Sequence, residues 1–178
     1  MGWFSLLEPD LVLGGSVFDL SPDLMRRHNL KGLILDVDDT LVPLRQAESD
    51  PDLATWMVSI KAVGEVWLVS NNVNSYRIKR IATPLGVPYL TSAGKPSRRK
   101  LKQALQAMDL PPEQVAMVGD RLLTDVLAGN RLGLFTILVD PMPTLDAAHG
   151  QGSCLRTLEL ALLRRLGIAL GSAPPPQA

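Results

Sequence analysis

Four short polar clusters in this chain hold residue types that phosphate chemistry needs. The first is Asp36-Val37-Asp38-Asp39-Thr40 and the second Ser70-Asn71-Asn72. The third is Gly94-Lys95-Pro96, and the fourth is Gly119-Asp120 followed by Asp125. Together they supply carboxylates, a hydroxyl and a single lysine. Carboxylates gathered in one place repel one another, so such a group calls for a cation. Asp36, Asp38, Asp120 and Asp125 would offer hard oxygen donors, suited to Mg²⁺ rather than to zinc. A magnesium ion beside a lysine and a hydroxyl is a good host for a phosphate dianion. With that negative charge neutralised, a carboxylate could attack phosphorus. Taken singly, Asp39, Thr40, Asp120 and Asp125 also fit turn or helix-cap duties. Asp36 and Asp38 fit them less well, because they end a buried strand and an unpaired ionised carboxylate is costly to bury.

The elements that must position these residues alternate regularly. Residues 33–37, 66–70, 115–119 and 135–139 are short aliphatic runs, the pattern of strands buried on both faces. Residues 87–90 form a weaker run whose Pro88 points to an edge or a strand start. Between the runs lie stretches of helical period. Asp50-Pro51 supplies an N-cap and a first-turn proline, Gly64 a stop, and Leu53, Trp56, Met57 and Ile60 an apolar stripe. Ile78, Ile81, Ala82 and Leu85 repeat that spacing before Gly86, with Pro84 expected to end the helix near Thr83. Leu101, Ala104, Leu105 and Met108 form a third stripe, capped by Ser97. Such alternation predicts an α/β fold, a parallel sheet with helices on both faces. In an open parallel sheet, ligands bind outside the carboxyl ends of the strands. All four polar clusters lie at or just beyond that edge.

Composition narrows the function classes. The chain has 178 residues, 46% of them apolar and 20% charged, enough for a packed core. Eighteen basic residues balance eighteen acidic ones, so no bulk positive field invites nucleic acid. One cysteine, Cys154, can make neither an internal disulfide nor a thiolate cage. No apolar run reaches the ~20 residues that span a bilayer, and the N-terminus lacks the pattern of a signal peptide or a myristoylation site. The expectation is a single domain over residues 1–170, cytoplasmic or peripheral on a membrane surface (or in an organelle equivalent), with its motif-bearing core at about 30–140 and a frayed tail at 171–178. His28 and His149 fall outside the clusters and are expected at the surface.

The four clusters resemble the four motifs of the haloacid dehalogenase (HAD) superfamily phosphatases, over roughly residues 30–140. The string from Gly119 through Asp125 and Gly129 to Gly133 is similar to the YqeG-type subfamily of class IIIA, itself similar to the mitochondrial phosphatidylglycerophosphate phosphatase. The resemblance implies a Rossmann-like fold and a Mg²⁺-dependent phosphomonoester hydrolase. It makes Asp36 the nucleophile that forms an aspartyl-phosphate, and Asp38 the group that protonates the leaving alcohol and then activates water. Ser70, the backbone amide of Asn71 and Lys95 would hold the phosphoryl oxygens. Mg²⁺ would take the Asp36 side chain, the Asp38 carbonyl, Asp120 and Asp125, the last directly or through water.

Spacing bears on the substrate. Asp36 to Ser70 is 34 positions, and the next two intervals are 25 each, which leaves no room for the large caps that enclose small substrates in this family. An open site suits a phosphate on something large or on a membrane surface, and the resemblance makes phosphatidylglycerophosphate the expected substrate. A soluble sugar phosphate, a nucleotide or a nucleic-acid end remains the alternative, as does a receiver-like module that only accepts phosphate. Basic residues gather at Arg77, Lys79 and Arg80 and from Lys95 to Lys102, where they could meet anionic lipid or form a solvated face. The segment Trp3-Phe4-Ser5-Leu6-Leu7 and an amphipathic helix at 153–170 could lie at a membrane interface or pack on the core. No protein partner is implied.

Overall fold

A central parallel strand, pinned on both sides, carries the first polar cluster. The computed structural model describes residues 3–42, 51–142 and 161. Its six strands are β1 (Leu11–Val12), β2 (Gly32–Leu35), β3 (Glu65–Val69), β4 (Tyr89–Leu90), β5 (Val115–Gly119) and β6 (Phe135–Leu138). They lie in the order β1-β6-β5-β2-β3-β4, with every neighbouring pair parallel. From β2 the chain builds outward through β3 to β4, then returns to the other side of β2 with β5. The strand order therefore reverses beside β2, and such a reversal opens a crevice at the carboxyl ends of the strands.

The helices are α1 (Pro22–Arg27), α2 (Pro51–Lys61), α3 (Ser75–Leu85), α4 (Arg99–Met108) and α5 (Leu127–Asn130). Successive β2 side chains point to opposite faces. Leu33 and Leu35 join a core with Met57 and Ile60 of α2 and Ile78 and Ile81 of α3. Ile34 joins a second core with Leu101, Ala104 and Met108 of α4. All four residues of β2 are buried, as a strand covered by helices on both faces requires. Trp56 ties the N-terminal segment to α2. Its Nε1 donates to the Leu20 carbonyl at 2.8 Å, and its ring meets Phe18 edge-on, 6.1 Å between centroids.

Several local expectations change. Helix α3 runs through Pro84 to Leu85 and ends at Gly86, whose φ of 60° is left-handed. A proline in the last turn removes one backbone donor, while Ile81 and Leu85 remain buried, each worth about 1.5–3 kcal/mol when fully covered. Helix α4 begins at Arg99 with no side-chain cap. Ser97 sits one residue too early, and its Oγ meets the Arg99 N–H only at 3.5 Å. Strand β1 and helix α1 are additions. The first is two residues long, too short to show a period. The second carries the start signals of Ser21, whose side chain accepts from the Leu24 N–H, and Pro22.

Pro88 does precede an edge strand, β4, and His28 is exposed. Asn130 Nδ2 donates to the carbonyls of Leu6 and Glu8 at 2.9 and 2.8 Å. The start of the chain is therefore held against α5, with Leu6 and Leu7 half-buried. Asp50, His149, Cys154, the side chains of Trp3 and Phe4, the tail at 171–178 and the helix expected at 153–170 (Ala161 apart) lie outside the described residues. Among the described residues, no helix is long and apolar enough to cross a membrane.

Gly64 marks the turn into β3, but its need for glycine is a close approach. A Cβ there would lie 2.7 Å from the Lys31 carbonyl oxygen. Gly64→Ala is expected to destabilise the protein by about 1–3 kcal/mol, the usual cost of overpacking, read as a lowered urea midpoint with unchanged slope.

Candidate active site

Asp36 leaves β2 still tied to the sheet, its N–H donating to the Val118 carbonyl at 2.9 Å. That bond sets its side chain beside the end of β5, where Gly119 and Asp120 follow. Asp39 then takes a left-handed φ of 63°, uncommon outside glycine, asparagine and aspartate. The turn is closed by a bond from the Asp39 N–H to the Val42 carbonyl at 2.9 Å. It delivers Thr40, whose Oγ1 donates to Asp120 Oδ1 at 3.0 Å.

Lys95 is the centre of the arrangement. Its Nζ lies 2.7 Å from Asp36 Oδ1 and 2.7 Å from Asp125 Oδ1, with the lysine side chain 1% exposed. The Asn71 side chain clamps the Lys95 backbone from both sides. Its Oδ1 accepts from the Lys95 N–H at 2.7 Å, and its Nδ2 donates to the Lys95 carbonyl at 3.2 Å. Asp125 sits on a π turn, Leu122–Val126, a local widening that often marks functional sites. Its carboxyl group lies over Gly119, where a Cβ would come within 2.4 Å of Cγ. Only glycine at that position leaves room for the acid.

Asp38 is handled separately. Its Oδ2 accepts from Ser70 Oγ at 3.0 Å and from Asn72 Nδ2 at 3.2 Å, and its Oδ1 pairs with the Arg77 guanidinium. Ser70 is fully buried, and its Oγ also accepts from the Asn72 N–H at 2.9 Å. Asp36 and Asp38, two residues apart, thus occupy different surroundings. Asp36 is desolvated beside an ammonium, while Asp38 is bound by three donors nearer the opening.

The seven residues singled out by sequence converge here: Asp36, Asp38, Ser70, Asn71, Lys95, Asp120 and Asp125. Oxygens of Asp36, Asp120 and Asp125 lie within 4.8 Å of one another and are buried; the Asp38 carboxylate is outside that trio. Three contributors escaped the sequence. Thr40, considered only as a turn or cap residue, reaches Asp120, and Asn72 and Arg77 hold Asp38. The Asn71 side chain acts in addition to the backbone amide assigned to it. Thr40 and Asn72 stood within the first and second clusters and Arg77 in the first turn after the second, which were the signals available.

Burial raises the Asp36 pKa from 3.8 to about 7, with Asp125 and Asp120 adding to the rise and Lys95 opposing it. Burial, with Asp125 next, raises Asp120 to about 6, against the bond from Thr40. Burial alone would lower Lys95, but Asp125 and Asp36 outweigh it and hold the ammonium above its ordinary value. Ionised, the three acids outnumber the one ammonium by two charges. Asp125 Oδ1 has the Lys95 charge beside it but no donor aligned to it as a hydrogen bond. A divalent, oxygen-seeking cation fits this donor set in charge and in chemistry.

A parallel α/β domain with an acid–lysine site at its switch point is suited to phosphoryl chemistry. Comparison with known proteins agrees. A family model for HAD-hydrolase-like proteins matches residues 92–141. The "Probable phosphatase YqeG" of Bacillus subtilis is 40% identical over 132 residues, 74% of this chain and 76% of that one. Phosphatidylglycerophosphate phosphatase 1, chloroplastic/mitochondrial, of Arabidopsis thaliana is 26% identical over 152 residues. That match takes in 80% of this chain but 43% of the plant protein. A solved structure from Legionella pneumophila, assigned to HAD subfamily III A, shares the fold at a TM-score of 0.50 and 19% identity, over 83% of this chain and 91% of that one. The chain belongs to the HAD-like hydrolases, as a phosphatase of the YqeG type.

The raised carboxyl groups make stability depend on pH. Between about pH 4 and 7 the metal-free folded chain holds protons on Asp36 and Asp120 that the unfolded chain has lost, so these groups make stability fall as pH rises through that window. A cation held by these acids would bind their deprotonated forms, so its stabilising effect would grow over the same range. At a hundred times its Kd, Mg²⁺ should add about 2.7 kcal/mol, or about 5–10 °C in Tm for a chain of this size. Thermal melts at pH 8 should show this full rise, and melts at pH 5 a small fraction of it.

Proposed function

We propose that the protein hydrolyses a phosphomonoester through an aspartyl-phosphate on Asp36, and that its substrate is phosphatidylglycerophosphate. The observation that carries the chemistry is the separation of Asp36 from Asp38. One carboxylate is buried against Lys95 at 2.7 Å. The other is held by Ser70, Asn72 and Arg77, where a leaving alcohol could receive its proton.

In the first step, which Asp38 enters protonated, Asp36 Oδ forms a bond to phosphorus, the bond from phosphorus to the alcohol oxygen breaks, and Asp38 gives that oxygen its proton. In the second step Asp38 takes a proton from water as the water oxygen attacks phosphorus, releasing phosphate and Asp36. Lys95 neutralises the phosphoryl oxygens, the Asn71 N–H donates to them, and Ser70 Oγ joins it by turning its one proton from Asp38 to the phosphoryl group. Mg²⁺ would be held by the Asp36 carboxylate, the Asp38 carbonyl, Asp120 and Asp125. When bound it would neutralise charge on the phosphoryl group.

Two observations support a lipid headgroup as the leaving alcohol. The first is the similarity to the plant phosphatidylglycerophosphate phosphatase. The second is that no cap-sized insertion separates the first three clusters. The interval from Asp36 to Ser70 is filled by α2 and β3, and that from Ser70 to Lys95 by α3 and β4. Residues 43–50, outside the described residues, are far fewer than the ~50 that make the smallest ordinary domain.

Phosphate release with Mg²⁺ should be faster on phosphatidylglycerophosphate in detergent micelles than on sugar phosphates or nucleotides. Equal rates on all of them would remove the lipid assignment and leave the chemistry. Asp36→Asn should lower turnover by at least about 10⁴-fold, as loss of a nucleophile does. Asp38→Asn should lower it by about 10²–10⁴-fold, as loss of a general acid–base does. Turnover surviving in Asp36→Asn would remove the mechanism.

A further inference from the structure

Among the described residues, three large apolar side chains are strongly exposed: Val58 at 71%, Val73 at 81% and Tyr76 at 70%. Single exposed apolar residues are ordinary. The location of two of them is not. Val73 follows Asn72 and Tyr76 precedes Arg77, the two residues outside the sequence-derived set that grip Asp38. Both exposed apolar residues are therefore chain neighbours of groups that hold Asp38, on the carboxyl side of β3.

The segment that bears them is rigid by construction. Asn72 Oδ1 accepts from the Asn74 N–H at 2.8 Å, and Asn74 Oδ1 accepts from the Arg77 N–H at 3.1 Å, capping α3. The Ser75 N–H donates to the Val73 carbonyl at 3.0 Å. A valine and a tyrosine fixed in water on a braced turn are placed for a surface that takes apolar side chains.

Charge says which surface. The whole chain is neutral, with eighteen basic and eighteen acidic residues. Residues 70–80 and 91–102, the stretches that follow β3 and β4, hold eight of those basic residues and no acidic one; Lys95 is buried against Asp36 and Asp125 and Arg77 pairs with Asp38, and the other six are exposed or half-exposed. Lys79, Arg80, Arg98 and Arg99 among them are exposed. An apolar tip within a positive rim is the composition that docks on anionic lipid, with tyrosine suited to the headgroup level.

We propose that this rim is a membrane-docking surface, with Val73 and Tyr76 entering the headgroup region of an anionic bilayer so that a lipid-borne phosphate reaches Asp36 without leaving the membrane. The proposal rests on the lipid-phosphatase reading above and adds the surface that would make it work at a bilayer. It assigns the contact to the turn before α3 and its first residues, not to the ends of the chain.

The test compares the full chain with the double variant Val73→Asn/Tyr76→Gln. The probe is vesicles of equal parts phosphatidylglycerol and phosphatidylcholine, with phosphatidylcholine alone as control. Wild type should sediment with the anionic vesicles, less so at high salt, and the double variant should lose at least tenfold in binding. Turnover of phosphatidylglycerophosphate in those vesicles should fall in parallel, while turnover of water-soluble p-nitrophenyl phosphate stays within twofold. Wild type that ignores anionic vesicles, or a variant that binds them equally, overturns the proposal. So does an equal loss on p-nitrophenyl phosphate, which would mean that the residues act through the Asp38 turn. Binding of single-stranded DNA in place of vesicles would overturn it in favour of a nucleic-acid surface. If wild type binds vesicles and turns over only soluble monoesters, the substrate reading fails. The docking surface is then judged by sedimentation alone.

Discussion

One buried ammonium organises the site. Lys95 Nζ stands 2.7 Å from Asp36 and from Asp125, while Asp120 lies close enough to complete a trio of acids. Taking these groups out of water is expensive, and breaking such a group by removing one member leaves an uncompensated charge. Much of the local structure holds this balance. Asn71 fixes the Lys95 backbone, Thr40 bonds Asp120, and Gly119 clears the space that Asp125 fills. The remaining excess of acid is the reason a divalent cation suits the place.

The second organising feature is the contrast between neighbours in the sequence. Asp36 and Asp38 leave the same strand, yet one turns into the acid–lysine cluster and the other toward Ser70, Asn72 and Arg77. A strand alternates its side chains between faces, so residues two apart would ordinarily share surroundings. The turn past the strand end, closed through the left-handed Asp39, sends them apart. A reaction that needs a nucleophile and a separate proton carrier is well served by such a division.

The sheet explains why the assembly forms at this point. Strand β2 lies between β3 and β5, so the loop after it borders the loops after both. Four of the seven site residues, Asp36, Asp38, Asp120 and Asp125, come from the loops after β2 and β5, which flank the strand-order reversal. Lys95 arrives from beyond the edge strand β4 and is brought across by the Asn71 clamp. Between the first three clusters the described residues form one helix and one strand per interval, and the stretches after β3 and β4 are basic.

Sequence alone determined the alternation of buried runs and amphipathic stripes, and with it the parallel sheet, the helices on both faces and the edge where the polar clusters meet. Those signals are local: runs such as Leu33-Ile34-Leu35 and stripes such as Ile78, Ile81 and Leu85 show their period within a few residues. Donor chemistry was local too, since aspartates and a lysine can be read by type as candidate ligands for a cation and a phosphate. Tertiary structure decided what depends on distant partners. It took α3 through Pro84, because burial of Leu85 is a property of the core and not of the helix. It added β1, too short to announce itself, through its pairing with β6. It also gave Asn72 and Arg77 their place on Asp38, joining residues 34 and 39 positions apart, because a hydrogen bond of that reach exists only once the sheet has brought its loops together.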